Sequence, residues 1–318
     1  RQDIKKYLDM KRILVTGAAG YIGSLLVTEL VARKYDVTVI DNLSFSKTSL
    51  LHLMEKKNFN LIVGDVTNKK LMKREIKNKD IIIPLAALVG APLCDKFKKQ
   101  TVKINLDSIK FILSKLKSKQ KIIYMNSNSG YGVGKKNKFC DENTPLNPIS
   151  LYGRTKAQAE IEVMKFKNSI CFRLATVFGY SYRMRTDVLV NNFVLRAITE
   201  KKLELFEPNF RRNYIHVRDV VRAILFSIDN FSRMKSNIYN LGLSTANLTK
   251  KQLALKIKKR IKDLKISIKK GRDPDKRDYF VSNRKIEKFG FRPIYQIDEG
   301  IDEMTKVFKI KTKFNNNY

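Results

Sequence analysis

Tyr152 and Lys156 lie four residues apart in Leu151-Tyr152-Gly153-Arg154-Thr155-Lys156, within a run of helix-like apolar spacing. On a helix this separation puts both side chains on one face. A phenol keeps its proton until about pH 10, so unaided it is a poor base at neutral pH. An ammonium one turn away favours the phenolate, which could then take a proton from a substrate hydroxyl. By itself the pair also fits an ordinary amphipathic helix, so its meaning depends on what surrounds it.

Upstream, Lys11–Thr16 is a short apolar run of buried-strand type, followed at once by Gly17-Ala-Ala-Gly20-Tyr21-Ile22-Gly23. Ile22, Leu25, Leu26, Leu30 and Val31 then recur at helical spacing. Strand, glycine turn and helix are the setting a dinucleotide-binding fingerprint requires, with the helix N-terminus turned to the phosphates. The second strand, Asp36–Ile40, runs into Asp41, eighteen residues beyond Gly23, with Asn42 beside it. An acid there can accept from both ribose hydroxyls and repels a 2′-phosphate, which favours NAD over NADP.

Two further apolar runs follow. Leu61–Val63 leads to Gly64-Asp65-Val66, whose carboxylate could face an adenine, and Asp80–Pro84 leads to Leu85-Ala86-Ala87, small enough to pass close to a cofactor. A fifth, Lys121–Met125, enters Asn126-Ser127-Asn128-Ser129-Gly130-Tyr131-Gly132. Strands alternating with helices imply a doubly wound parallel sheet of Rossmann type, whose ligands sit at the strands' carboxyl ends. Ser127 or Ser129 could bind a substrate hydroxyl there, or serve only as a turn serine.

The 318 residues suit two domains or one large α/β domain, and 43% hydrophobic residues are ordinary for a globular chain. Lys and Arg number 65 against 30 Asp and Glu, a net +35 that draws anions. The lysines are scattered with no long block, the mark of a lysine-biased composition rather than a nucleic-acid stripe, so no nucleic-acid partner is expected. Cys94, Cys140 and Cys171 lack paired spacing and point to a reducing compartment, and His52 and His216 are too far apart for a histidine metal site. No apolar run has bilayer length. A soluble, cytoplasmic protein without metal or membrane partner is expected.

In order, Gly17-x-x-Gly20-x-x-Gly23, Asp41, Gly64-Asp65-Val66, Leu85-Ala86-Ala87, Ser127 and Tyr152-x-x-x-Lys156 resemble the extended short-chain dehydrogenase/reductases that act on nucleotide sugars. The resemblance covers nearly the whole chain. It implies a Rossmann NAD domain at 10–178, with a returning segment near 213–242. A smaller nucleotide-sugar-binding α/β region would comprise 179–212 and 243–318. It also implies a homodimer joined through helices that include the one bearing Tyr152. Tyr152 would be the acid/base, Lys156 would hold the nicotinamide ribose and lower the tyrosine pKa, and Ser127 would position the substrate hydroxyl. Gly17, Gly20, Tyr21, Ile22, Gly23, Asp41, Asn42, Asp65, Val66, Leu85, Ala86 and Ala87 would line the cofactor. Asn128, Arg185 and Asn191 would face substrate, with Arg212 and Arg277 as diphosphate grips.

Departures narrow the choice. Pro84 stands where many relatives have histidine, and Ser127-Asn128-Ser129 stands where 4,6-dehydratases carry Thr-Asp-Glu, so the acid and base for water elimination are missing. Pro84–Cys94, Asn126–Gly132, Arg173–Gly179, Phe210–Asp219 and Asp273–Tyr279 are together similar to the bacterial GDP-heptose 4-dehydrogenase group. That implies oxidation of the C4 hydroxyl of GDP-manno-heptose, for capsular polysaccharide. Release of a 4-keto sugar, return of hydride to the opposite face (a UDP-glucose/galactose-type 4-epimerase) and further chemistry all share this first step. An NAD-binding regulator without catalysis is a further alternative. Cys94 is either a substrate-side residue or a small buried hydrophobe, His216 a packed core histidine, and Asp219 a cap for a helix over Val220–Ile228.

Overall fold

Apolar strand runs and the turns between them reappear directly in the architecture. A computed structural model describes residues 10–135, 138–271 and 277–311. Strands β1 (Arg12–Thr16), β2 (Asp36–Asp41), β3 (Phe59–Val63), β4 (Ile81–Pro84), β5 (Lys121–Ser127), β6 (Ser169–Leu174) and β7 (Asn237–Leu241) form one sheet in the order β7-β6-β5-β4-β1-β2-β3. The pairings β1–β2, β2–β3, β1–β4 and β4–β5 are parallel. Burial on both faces explains uninterrupted apolar runs such as Ile81-Ile82-Ile83. The strand order reverses between β1 and β4, which opens a crevice at the carboxyl ends. The expected Rossmann-type doubly wound sheet is what forms.

The chain divides into two compact units. One holds the segment up to Ser127 with Ser150–Phe172 and Ile224–Ile238. Leu14, Ile40, Ile82, Ile122, Ala159 and Val163 build its core. Here the helical stretch Lys98–Val102 continues through a π-wound turn, Lys103–Asp107, into Ser108–Lys115. Asn105 on that turn is buried, and its amide brackets Leu88, accepting from the N–H and donating to the carbonyl at 2.9 Å each.

The other unit holds Asn128–Ile149, Arg173–Ala223 and the chain from Tyr239 onward. Its core gathers Phe178, Val190, Val194, Leu203, Leu253, Ile257, Ile301 and Phe308. Arg211–His216 does not rejoin the large sheet. It pairs in parallel with Thr176–Phe178 and antiparallel with Asn247–Thr249, and the strand that returns to the large sheet is β7. Thr249 and Gln252 form the expected capping box. His216 is buried as expected, stacked on Tyr295 at 4.7 Å and bonded to Glu303 at 2.8 Å.

Asp219 corrects the sequence reading. The helix runs Val217–Asp229, so Asp219 lies inside its first turn instead of capping it. Its buried carboxylate accepts the N–H groups of Ile294 and Tyr295 and pairs with Arg222 at 2.5 Å. An acid near a helix start reads as a cap in sequence, but here the backbone donors it satisfies lie in a segment over 70 residues away. Of the Asp273–Tyr279 motif, Asp273, Pro274, Asp275 and Lys276 lie outside the described residues, as do residues 1–9 and 312–318.

Candidate active site

Gly17 has φ +70°, and a Cβ there would come within 2.5 Å of the Ala86 backbone. At Gly23 a Cβ would meet Ala18 Cα at 2.4 Å. The turn therefore packs backbone on backbone, against the Leu85-Ala86-Ala87 segment and down onto the Tyr21–Ala32 helix. No side chain caps that helix at Gly20, and its positive dipole end lies at the turn. Tyr21 and Gly23 are buried, with Ile22 half-buried between them.

At the end of β2, Asp41 accepts the Ala19 N–H at 2.9 Å and the Leu43 N–H at 2.8 Å. Asn42 donates to Asp65 at 3.1 Å, and Thr67 donates to the same carboxylate through its N–H and its hydroxyl. Partial burial pushes the Asp65 pKa up, but the Thr67 and Asn42 bonds outweigh it and hold the carboxyl below its usual range. Val66 is buried beside it. Leu85 N–H bonds to Thr16 at 2.9 Å, fixing the small-residue segment to β1. A glycine cradle, a strand-end acid and a dipole end suit a dinucleotide.

Ser127 closes β5, its N–H held by Asn126 Oδ1 at 2.7 Å. Tyr152 and Lys156 lie on the helix Leu151–Met164, which Ser150 starts by accepting the Gly153 N–H at 3.1 Å, a cap worth about 1 kcal/mol. Tyr152 is half-buried, whereas Lys156 is only 6% exposed. The Lys156 ammonium lies 4.1 Å from the centre of the Tyr124 ring, a cation–π contact. Burial lowers the Lys156 pKa to about 8, with Cys171 and Glu160 pulling the other way. Burial also drives the Tyr124 phenol well above its ordinary value, helped by Cys171, Tyr152 and Glu160. At neutral pH the lysine is mostly charged.

The second unit holds the expected substrate residues other than Ser127. Asn128 is 1% exposed, and neither end of its amide has a hydrogen-bond partner. Arg277 donates to Ser129 Oγ, and Arg212 donates to the carbonyls of Arg277 and Arg211. At 2% exposure Arg212 is the more deeply buried of the two, with its guanidinium 5.7 Å from the Tyr279 ring centre. Arg185 pairs with Asp187, and its carbonyl accepts from Asn191, whose Oδ1 takes the Gly179 N–H at 3.1 Å. The structure thus joins Ser129, Arg277 and Arg212 in one cluster and Arg185 with Asn191 in another.

Two groups escaped the sequence reading. Glu160, 3% exposed, accepts the Asn126 amide at 2.6 Å and the Cys171 thiol at 3.4 Å. The i+4 step from Lys156 was its available signal. Arg173 donates to Tyr131 at 3.0 Å, and Tyr131 donates to Asn240 at 2.7 Å, which anchors the turn after Asn128. Nothing local in sequence joins these three. Cys94 is wholly buried, donates to the Leu88 carbonyl and has its pKa raised by burial, as befits a small hydrophobe. Among the described residues no cluster of His, Cys, Asp and Glu could hold a metal, and no helix is long and apolar enough to cross a membrane.

Residues 13–242 match the model of the NAD dependent epimerase/dehydratase family. A putative UDP-glucose 4-epimerase of Methanocaldococcus jannaschii is 28% identical over 310 residues, covering 93% of this chain and 98% of that protein. The human dTDP-D-glucose 4,6-dehydratase is 25% identical, covering 94% of this chain and 90% of that one. Among solved structures, the UDP-glucose 4-epimerase of Thermotoga maritima, crystallised with UDP-glucose, superposes with a TM-score of 0.83. It is 26% identical, and the match covers 95% of this chain and all of that one.

Proposed function

The chain belongs to the NAD dependent epimerase/dehydratase family, and from that premise we propose that it oxidises the C4 hydroxyl of a nucleotide-activated sugar to a 4-keto sugar. The observation that carries this reading is the buried Lys156 ammonium against Tyr124, one turn beyond Tyr152. Bound NAD would supply the hydride acceptor that oxidation of C4 requires. The Tyr152 phenolate accepts the hydroxyl proton, Lys156 supplies the charge that keeps the phenolate accessible, and Ser127 holds the hydroxyl in line. Gly17, Gly20, Tyr21, Ile22, Gly23, Asp41, Asn42, Asp65, Val66, Leu85, Ala86 and Ala87 would hold the cofactor. Arg277 grips the diphosphate through a planar fork suited to paired oxygens, and Arg212 braces it.

The motif resemblance makes GDP-manno-heptose the first substrate to test, with the product serving surface polysaccharide assembly by a homodimer. A UDP-sugar 4-epimerase is the second reading, favoured by the likeness to the archaeal putative UDP-glucose 4-epimerase. A 4,6-dehydratase is not supported, because the Asn128 amide has no acidic proton and the Ser129 hydroxyl is engaged by Arg277.

The test supplies NAD with GDP-manno-heptose and with UDP-, dTDP- and CDP-sugars, following NADH and product mass. A 4-keto sugar with matching NADH supports the oxidation, and a C4 epimer without net NADH supports the second reading. A product lighter by water would overturn both. Tyr152→Phe should lose about 100- to 10,000-fold in kcat and retain NAD binding; undiminished turnover refutes the assignment of the base.

A further inference from the structure

Tyr152, Lys156 and Glu160 follow one another at intervals of four along one helix, so they form a single stripe. Helical side chains lean toward the N-terminus, and the Lys156 ammonium lies on the ring of Tyr124, which interacts with Tyr152. Glu160, one turn behind, is a carboxylate buried in the same interior. Such a group persists inside a protein only with charge partners and donors. It has donors from two neighbouring strands: the Asn126 amide of β5 at 2.6 Å and the Cys171 thiol of β6 at 3.4 Å. The titratable groups that act on this pair are Cys171 on β6 and Tyr124 on β5, and Tyr124 in turn feels Tyr152 on the same helix. Asp95, Lys98 and Lys99, from the neighbouring helices, instead share a surface cavity with Leu151 and Arg154.

We propose that Glu160 is a positioning residue for Lys156: braced by Asn126 and Cys171, its carboxylate keeps the buried ammonium charged and turned toward Tyr152. This rests on the reading of Tyr152 and Lys156 as the working pair. The carboxylate works against burial, which by itself strips protons from a lysine. Without it Lys156 gives up its proton at lower pH, and the tyrosine loses its neighbouring charge in the neutral range.

The test has two arms. The first titrates the Lys156 side chain by NMR in 13C-lysine-labelled protein, with its signal identified from Lys156→Arg, and needs no substrate. Glu160→Gln should move that titration at least one pH unit below its wild-type position, and an unmoved titration overturns the proposal. The second arm follows kcat against pH with whichever nucleotide sugar the wild type turns over. The alkaline limb should fall at lower pH in Glu160→Gln, with NAD affinity unchanged. An equal loss of rate at every pH would mark a merely structural residue and would also overturn it. Should Glu160→Gln not fold, Asn126→Ala removes the 2.6 Å brace and should give a smaller shift in the same direction. No shift in that variant counts against the proposal equally. If the wild type turns over no sugar, the function reading fails while the titration still decides the role of Glu160.

Discussion

The glycine turn of the first unit and the arginine cluster of the second both suit phosphate chemistry, but they are built in opposite ways. Gly17, Gly20 and Gly23 act within seven consecutive residues, through backbone shape, at the end of one strand. Ser129, Arg212 and Arg277 are drawn from chain positions up to 148 residues apart and act through side chains that hold one another. A site made of backbone tolerates no added atom, whereas a site made of stacked side chains depends on each member holding the next.

Arg212→Leu should show this dependence most strongly. It leaves the Arg211 and Arg277 carbonyls without this donor and should lower stability by about 2–5 kcal/mol, roughly 1–3 for each carbonyl, read as a fall in denaturation midpoint. A stable variant with only a raised KM for the nucleotide sugar would make Arg212 a direct grip and weaken the contrast. Gly17→Ala comes next. Its φ and the 2.5 Å approach to Ala86 should cost about 1–3 kcal/mol and remove most NAD affinity, measured by fluorescence titration. Normal NAD binding would show that the turn has slack.

Lys156→Met should have the smallest effect on stability, and in the opposite direction. The folded pKa, about 8, lies below the roughly 10.4 of an exposed lysine. The fold therefore bears the penalty of a buried charge at every pH below about 8, and the penalty fades as pH rises toward 10.4. The variant should be slightly more stable than wild type at pH 7, by less than about 1 kcal/mol because the Glu160 carboxylate loses its charge partner, with the gain shrinking above pH 8 while turnover disappears. A less stable variant at pH 7 would mean that the interactions with Tyr124 and Glu160 outweigh desolvation.

The same contrast governs what could be read from the residues alone. The sheet, the glycine turn, Asp41 and the Tyr152–Lys156 face were legible because each is fixed by neighbours within one strand, turn or helix. Glu160 was equally legible by spacing, but a buried acid looks like any exposed helix glutamate until β5 and β6 close over it. Asp219 was misread because its donors, Ile294 and Tyr295, reach it only through tertiary packing. The Arg173–Tyr131–Asn240 chain was hidden for the same reason, since its members are far apart in sequence.

The loosely wound turn at Lys103–Asp107 has a consequence of its own. A π turn accommodates one residue more than an α-helical turn. Deleting a single residue there would rotate Asn105 by about 100° relative to one flank. Leu88 would lose both of its amide contacts, and the segment after β4 would come adrift from its clamp. Length at this point of the helix is thus as constrained as residue type.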